Sequence, residues 1–139
     1  MNHLLRIAIL SVVFLSLSGP VCLAGNFPSQ AVIAAEKFTR LLDNKEYRLA
    51  YSAGSELLKT IDAEPEWVRE RELSDLLLGT VQNRKLVSIR ARDTYPGLPD
   101  DEYLVIYFEA RTERKEKAAE VLLVNLSGDS WQVCSYRLK

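Results

Sequence analysis

The side chains that could do chemistry in this sequence are few, and where they fall narrows the field. The one histidine, His3, and one of the two cysteines, Cys22, lie in the first 24 residues. Met1–Arg6 is short and basic, and Ile7–Leu17 is apolar but shorter than the ~20 residues that span a bilayer. Gly19-Pro20 breaks that run, and Cys22-Leu23-Ala24 sets small residues at the −3 and −1 positions of a cut after Ala24. Residues 1–24 therefore read as a secretory signal peptide and residues 25–139 as one mature domain, secreted or periplasmic. Gly19-Pro20-Val21 lacks the leucine and small residues that precede a lipidated cysteine, so lipoprotein anchoring at Cys22 is not expected. The mature chain then has no histidine and only Cys134. That excludes an intramolecular disulfide, zinc sites built on His and Cys, and Ser-His-Asp or Cys-His nucleophile pairs. Catalysis would fall to carboxylates, tyrosines, lysines or arginines. Glu109 or Glu120 as base, with the hydroxyl of Tyr107 or Tyr51 as oxyanion donor, could move a proton next to a carbonyl. Strand alternation turns Glu109 away from the interior and leaves Glu120 near a hairpin, so no catalytic residue is expected. Cys134 reads as a small buried hydrophobe.

Two other groupings could bind rather than react. Phe38, Tyr51, Trp67, Phe108, Trp131 and Tyr136 could line a cavity for a small apolar ligand; their ordinary reading is a set of core aromatics. Arg84, Arg90 and Arg92 share one strand face by alternation, with Tyr107 on the neighbouring strand. They would suit an acidic partner or a homodimer through the sheet; the ordinary reading is a solvated face with cross-strand ion pairs. Asp93, Asp100, Asp101 and Glu102 match no calcium-loop spacing, so no metal and no cofactor are expected. Without Arg6 the 18 basic residues fall slightly further below the 19 acidic ones. That balance calls for neither nucleic acid nor an anionic membrane, and no membrane span is expected after signal cleavage.

The elements that must position these residues follow from the hydrophobic period. Ser29 is a candidate N-cap, and Ala31, Ala34, Ala35, Phe38, Leu41 and Leu42 recur at helical spacing up to Asp43. After a turn at Asp43-Asn44-Lys45, one stripe of Tyr47, Ala50, Tyr51, Gly54, Leu57, Leu58 and Ile61 predicts a second helix. Glu64-Pro65 opens a third, which carries Trp67, Leu73, Leu76, Leu77 and Leu78 to a C′ glycine, Gly79. Beyond Gly79 the period drops to two. Val81–Arg92 is predicted as a strand with Arg84, Leu86, Ser88, Arg90 and Arg92 facing outward. Tyr95–Phe108, YPGLPDDEYLVIYF, gives two turn signals and then a central strand with Leu104, Ile106, Phe108 and Ala110 facing inward. Ala119–Leu126, apolar on both sides, and Ser130–Leu138 complete a four-stranded meander. Three helices followed by an antiparallel sheet make an α+β domain.

Several of these pieces together resemble a known family. They are Ala34-Ala35, Leu41-Leu42-Asp43, Tyr47, Trp67, Gly79, Asn83-Arg84-Lys85-Leu86, Pro96-Gly97-Leu98-Pro99-Asp100-Asp101-Glu102-Tyr103, Trp131-Gln132-Val133 and Tyr136. The sequence resembles a bacterial, mostly secreted group catalogued as a domain of unknown function, number four thousand and nineteen. The resemblance covers nearly all of the mature chain, and its most specific piece is the Pro-Gly-x-Pro-Asp-x-Glu-Tyr segment. Tyr51 stands where the family tends to have tryptophan, and Asp101 where it has glycine. The resemblance implies a shape and a compartment, not a reaction. Its order of elements is similar to the nuclear-transport-factor-two-like and cystatin-like rolls, in which a bent sheet wraps a helix; fold analogy carries no function with it. The expectation is a secreted, non-enzymatic module that binds a small apolar ligand or an envelope protein. The alternatives are a roll-type isomerase or hydrolase using a pocket carboxylate and tyrosine, and a structural accessory module of an envelope complex.

Overall fold

The structure, a computed structural model, describes residues 27–139; the expected signal peptide, with His3 and Cys22, lies outside the described residues. Four helices come first: α1 (Phe27–Asp43), α2 (Tyr47–Ala53), α3 (Glu56–Ile61) and α4 (Glu64–Leu78). Four strands follow: β1 (Val81–Arg92), β2 (Tyr103–Thr112), β3 (Ala118–Ser127) and β4 (Ser130–Leu138), in the spatial order β1-β2-β3-β4 with every pair antiparallel. This is the expected α+β meander with one helix more than the period suggested. No helix among the described residues is long and apolar enough to cross a membrane.

The extra helix comes from a break at Gly54-Ser55. Gly54 is extended (φ −67°, ψ 164°), and Ser55 caps α3 by accepting a hydrogen bond from the Leu58 amide at 3.3 Å. The Ser55 amide itself donates to Val133 O at 2.9 Å, so the chain leaves the helical path to bond with β4. Gly54 lies close to Leu58 and Val133 O, where a side chain would collide. A helix continued through this point would forfeit that contact, and the apolar stripe alone carries no trace of it.

The sheet has three irregularities, one between Val81 and Asn83 at the start of β1, and the other two decide which of the candidate residues share a face. In β1, the pairing Leu86↔Phe108 is followed by Ser88↔Tyr107, so Val87 is an extra residue in a bulge. Before the bulge Arg84 and Leu86 lie on the same face as Ala110 and Phe108; after it Arg90 and Arg92 lie with Val105 and Tyr103. Because the side-chain period is two, one extra residue moves everything beyond it to the other face. The expectation that Arg84, Arg90 and Arg92 share a face is therefore corrected: Arg84 faces the helices, and the other two face away. A second shift in β4 pairs Leu123 with Ser135 but Val124 with Val133. It brings Trp131, Val133 and Tyr136 into one core cluster and turns Cys134 into a separate one on the opposite side.

Both faces of the sheet are thus occupied, by different means. The helix-side core joins Ala31, Ala35 and Phe38 of α1 to Leu58, Trp67, Ile106, Leu122 and Val124. On the other face the β1–β2 loop lays Tyr95 and Leu98 over Tyr103, Val105, Leu123 and Cys134. The Pro-Gly-Leu-Pro-Asp-Asp-Glu-Tyr stretch is the sequence of that cover. Gly97 takes φ +82°, the Leu98 amide donates to Tyr95 O at 3.0 Å, and Tyr103 donates from its hydroxyl to Pro99 O at 2.5 Å. The Asp101 carboxylate accepts from Asn125 at 3.2 Å and from the Glu102 amide at 2.8 Å.

The third predicted helix, now α4, departs most from expectation. Leu73, Leu76 and Leu77, expected in the core, are 53%, 66% and 65% exposed, and Trp67 is its one fully buried residue. The helix packs on α2 and lies beside β4 instead of over the sheet. Its C-terminal carbonyls are met by the β2–β3 hairpin: Leu78 O accepts from the Thr112 hydroxyl at 2.6 Å and from the Arg114 amide at 3.1 Å, and Leu76 O accepts from Arg114. Gly79 makes that clamp possible. It adopts φ 76°, ψ 178°, a region open in practice only to glycine, and a Cβ there would lie 2.6 Å from Glu113 Oε2 and 2.7 Å from Glu113 Cβ. Gly79→Ala is expected to cost about 1–3 kcal/mol in urea denaturation. Gly97→Ala, also at positive φ but with nothing near it, should cost less; equal losses would show that the Glu113 contact is unimportant.

Candidate functional site

The most concentrated chemistry in the interior is an ionic network that the sequence reading did not assemble. Arg84 reaches inward from β1 and meets two carboxylates. Its Nε and Nη2 donate to Glu120 Oε2 and Oε1 at 2.8 and 3.1 Å, while Nη1 and Nη2 donate to Asp43 Oδ2 and Oδ1 at 2.7 and 2.9 Å. Tyr136 donates its hydroxyl to Glu120 Oε1 at 2.9 Å. Glu120 is fully buried, whereas the Arg84 and Asp43 side chains retain 19% and 28% of their surface. Burial by itself would push the Arg84 guanidinium down; hydrogen bonds and charge from Asp43 and Glu120 override it and hold the group above its ordinary range. Burial, joined by the Glu120 charge, drives the Tyr136 phenol well upward, so it stays a donor.

This arrangement bears on the carboxylate–tyrosine chemistry considered from sequence. A buried glutamate and a tyrosine do meet, but the pair is Glu120 with Tyr136, not with Tyr51 or Tyr107. Tyr51 spends its hydroxyl on Asp62 O at 2.7 Å, and Glu109 is exposed on the outer face opposite Lys85. Both Glu120 oxygens are engaged by Arg84, and the adjoining cavity, between Leu42, Asp43, Tyr47, Arg71 and Tyr136, measures only ≈ 40 Å³. That is room for water rather than for an organic substrate.

The six aromatics proposed as a pocket lining belong to one buried cluster, and four of them meet ring to ring. Phe38 meets Trp67 edge-on at 6.0 Å and Tyr136 at 6.2 Å, and Tyr51 meets Trp67 at 5.7 Å. All six are buried, between 2% and 8% exposed. The space between helices and sheet is filled by these rings, as van der Waals packing favours. Trp131 and Phe38 also form one wall of a surface groove of ≈ 450 Å³ between α1 and the start of β4. Trp67 and Tyr136 reach the floor of a ≈ 370 Å³ cleft between α3, α4, β4 and the Tyr95–Leu98 loop. Arg71 crosses that cleft with its guanidinium 5.3 Å from the Trp67 ring and 5.2 Å from the Tyr136 ring, and it donates to Tyr136 O at 3.0 Å. It thereby covers main chain on the open edge of β4, as the Ser55 amide does at Val133.

Of the four residues expected to share one face, Arg90, Arg92 and Tyr107 do so and Arg84 does not. Arg90 lies over the Tyr107 ring at 5.8 Å on the face away from the helices, and exposed Arg92 lies on the same side, while Arg84 belongs to the buried network. Cys134 is buried, and its thiol donates to Leu123 O at 3.3 Å; burial pushes it up to about 12 from an ordinary 9.0, so it remains a neutral thiol. Sequence reasoning gave no role to Asp43 or Arg71, and it weighed Glu120 as a base beside Tyr107 or Tyr51 without finding its pairing with Arg84 and Tyr136. A signal did exist for Glu120, an acid in an otherwise apolar strand, but nothing in the sequence named its partner.

Removing one member of the network leaves an uncompensated buried charge. Arg84→Met is expected to lower stability by about 3–5 kcal/mol, read by chemical denaturation. Arg84→Met combined with Glu120→Leu should recover much of the loss, because the charge left behind is then gone. A double variant no more stable than the single would show that the ion pairing is not what holds these elements together.

A search of curated proteins finds no match to the chain. The family model described as "Protein of unknown function (DUF4019)" matches residues 34–136. The match spans α1 to β4 and includes Asp43, Arg84, Glu120 and Tyr136, so the whole buried network lies inside it. The chain belongs to the DUF4019 family of proteins of unknown function.

Proposed function

We propose that this protein is a non-enzymatic protein-binding module, exported by its N-terminal segment and working at or beyond the cell envelope. The observation that carries this reading is where the fold spends its apolar surface. The interior is filled by aromatic rings and a closed ion network. Three leucines of α4 stand in solvent on one ridge, beside a groove of ≈ 450 Å³ walled by Arg137, Leu138 and Lys139. Burying a leucine is worth roughly 1.5–3 kcal/mol, and a helix that exposes three on one side has an unused docking surface. The groove is open, so an apolar surface of another protein fits it better than a small apolar ligand does. A purely structural accessory role in an envelope complex would use the same ridge.

The runner-up is a carboxylate–tyrosine isomerase or hydrolase. The Glu120–Tyr136 contact favours it; the guanidinium on Glu120 and the ≈ 40 Å³ of adjoining space weigh against it.

The test is recovery of the protein from its own host followed by native mass spectrometry. A mature chain beginning at Gly25 is expected, with a second protein subunit attached that is lost in the Leu76→Ser/Leu77→Ser variant. That variant should keep its circular dichroism and melt within a few degrees of wild type, as exposed positions do. A large drop in melting temperature would mean that the ridge supports the fold and not a partner. A retained small molecule, or a bare monomer indifferent to the substitutions, would overturn the reading.

A further inference from the structure

The second open edge of the sheet, β1, differs from β4 in every respect that matters for pairing. β4 has its edge main chain covered at Val133 and Tyr136. Among the described residues, the β1 main chain from Val81 to Arg92 bonds to β2 and otherwise only to its own Arg92 side chain, at Ala91 O. An edge strand points about half of its N–H and C=O groups away from its neighbour, so β1 offers a row of free donors and acceptors. Val87, 62% exposed at the bulge, stands at the margin of a ≈ 470 Å³ depression on the outer face, floored by Tyr107, Ala118 and Ala119. The Tyr95–Leu98 loop shields the other half of that face and leaves this half bare.

The charges around this edge select its occupant. Lys85, Arg90 and Arg92 line the outer face of β1, with Lys117 across the depression; Glu109, opposite Lys85, is the acid among the residues lining it. A second copy of β1 would bring these cations against their own kind, which disfavours self-pairing. We propose that β1 receives an extended acidic segment of a partner protein as a fifth strand, its carboxylates on Arg90, Arg92 and Lys85 and an apolar side chain in the depression beside Val87 and Tyr107. The bulge and the lysine and arginine side chains, which protect an edge from indiscriminate pairing, act here as the filter that admits an acidic strand. This inference rests on the reading of the protein as a binding module but uses a surface separate from the α4 ridge, so either can fail alone.

The probe is a short synthetic peptide with glutamate at every second position, a valine in place of one central glutamate and threonine between them, so that carboxylates and valine share one face of the added strand; it is titrated into the mature domain by NMR. A lysine–valine peptide and a short oligothymidylate serve as comparisons. Binding of the acidic peptide is expected to slow hydrogen exchange of β1 amides and to weaken about tenfold between roughly 0.05 and 0.3 M salt. Arg90→Glu and Arg92→Glu, both at exposed positions, should each weaken it several-fold, while Leu76→Ser should not. Absence of binding, equal binding of the lysine peptide, or protection outside β1 would overturn the proposal. So would equal binding of the oligonucleotide without protection of β1 amides, which would leave an anion-attracting face and no added strand.

Discussion

A single guanidinium ties the end of the first helix to the sheet, inside an apolar core that packs the helices on the strands. Arg84 leaves β1, crosses the inner face toward β3, and joins Glu120 there to Asp43 at the end of α1. Tyr136 completes the set from β4. A charge as deep as Glu120 is tolerable only when every oxygen is matched, and it is matched by partners from elements far apart in sequence. Such a network contributes more to register than to net stability: slip β1 by one residue and Arg84 turns to solvent while Glu120 is stranded.

That constraint accounts for the bulge at Val87. The first half of β1 must send Arg84 inward, whereas the second half carries two arginines that have no buried partners. One inserted residue reconciles the two halves. The helices lie mainly over β2, β3 and β4, so the second half of β1 overhangs them, with its outer face free. The same geometry that closes the interior thus leaves a cationic edge open on one side of the molecule and a leucine ridge on the other.

The family resemblance takes on a physical meaning in these terms. Asp43, Arg84 and Tyr136 form the network, Gly79 lets the chain pass Glu113, Trp67 anchors α4, and the Pro-Gly-Leu-Pro segment roofs the outer face. These shared positions serve architecture. The leucine ridge and the free half of the outer sheet face lie largely outside them.

Much of this was legible in the sequence. Hydrophobic period, turn residues and the change of rhythm after Gly79 determine the α+β order, the meander and the inner face of β2, because these are local properties of spacing. Six aromatics at helix and strand positions were legible as inward-facing, either as a cavity lining or as a core, and all six are buried. Tertiary structure alone decided the rest. The break at Gly54-Ser55 depends on Val133, a residue in the last strand. The faces of Arg84 and Tyr136 depend on bulges, which need two strands to exist at all. Whether the α4 leucines meet a core or water depends on where that helix is laid, and its amphipathic spacing is the same in either case.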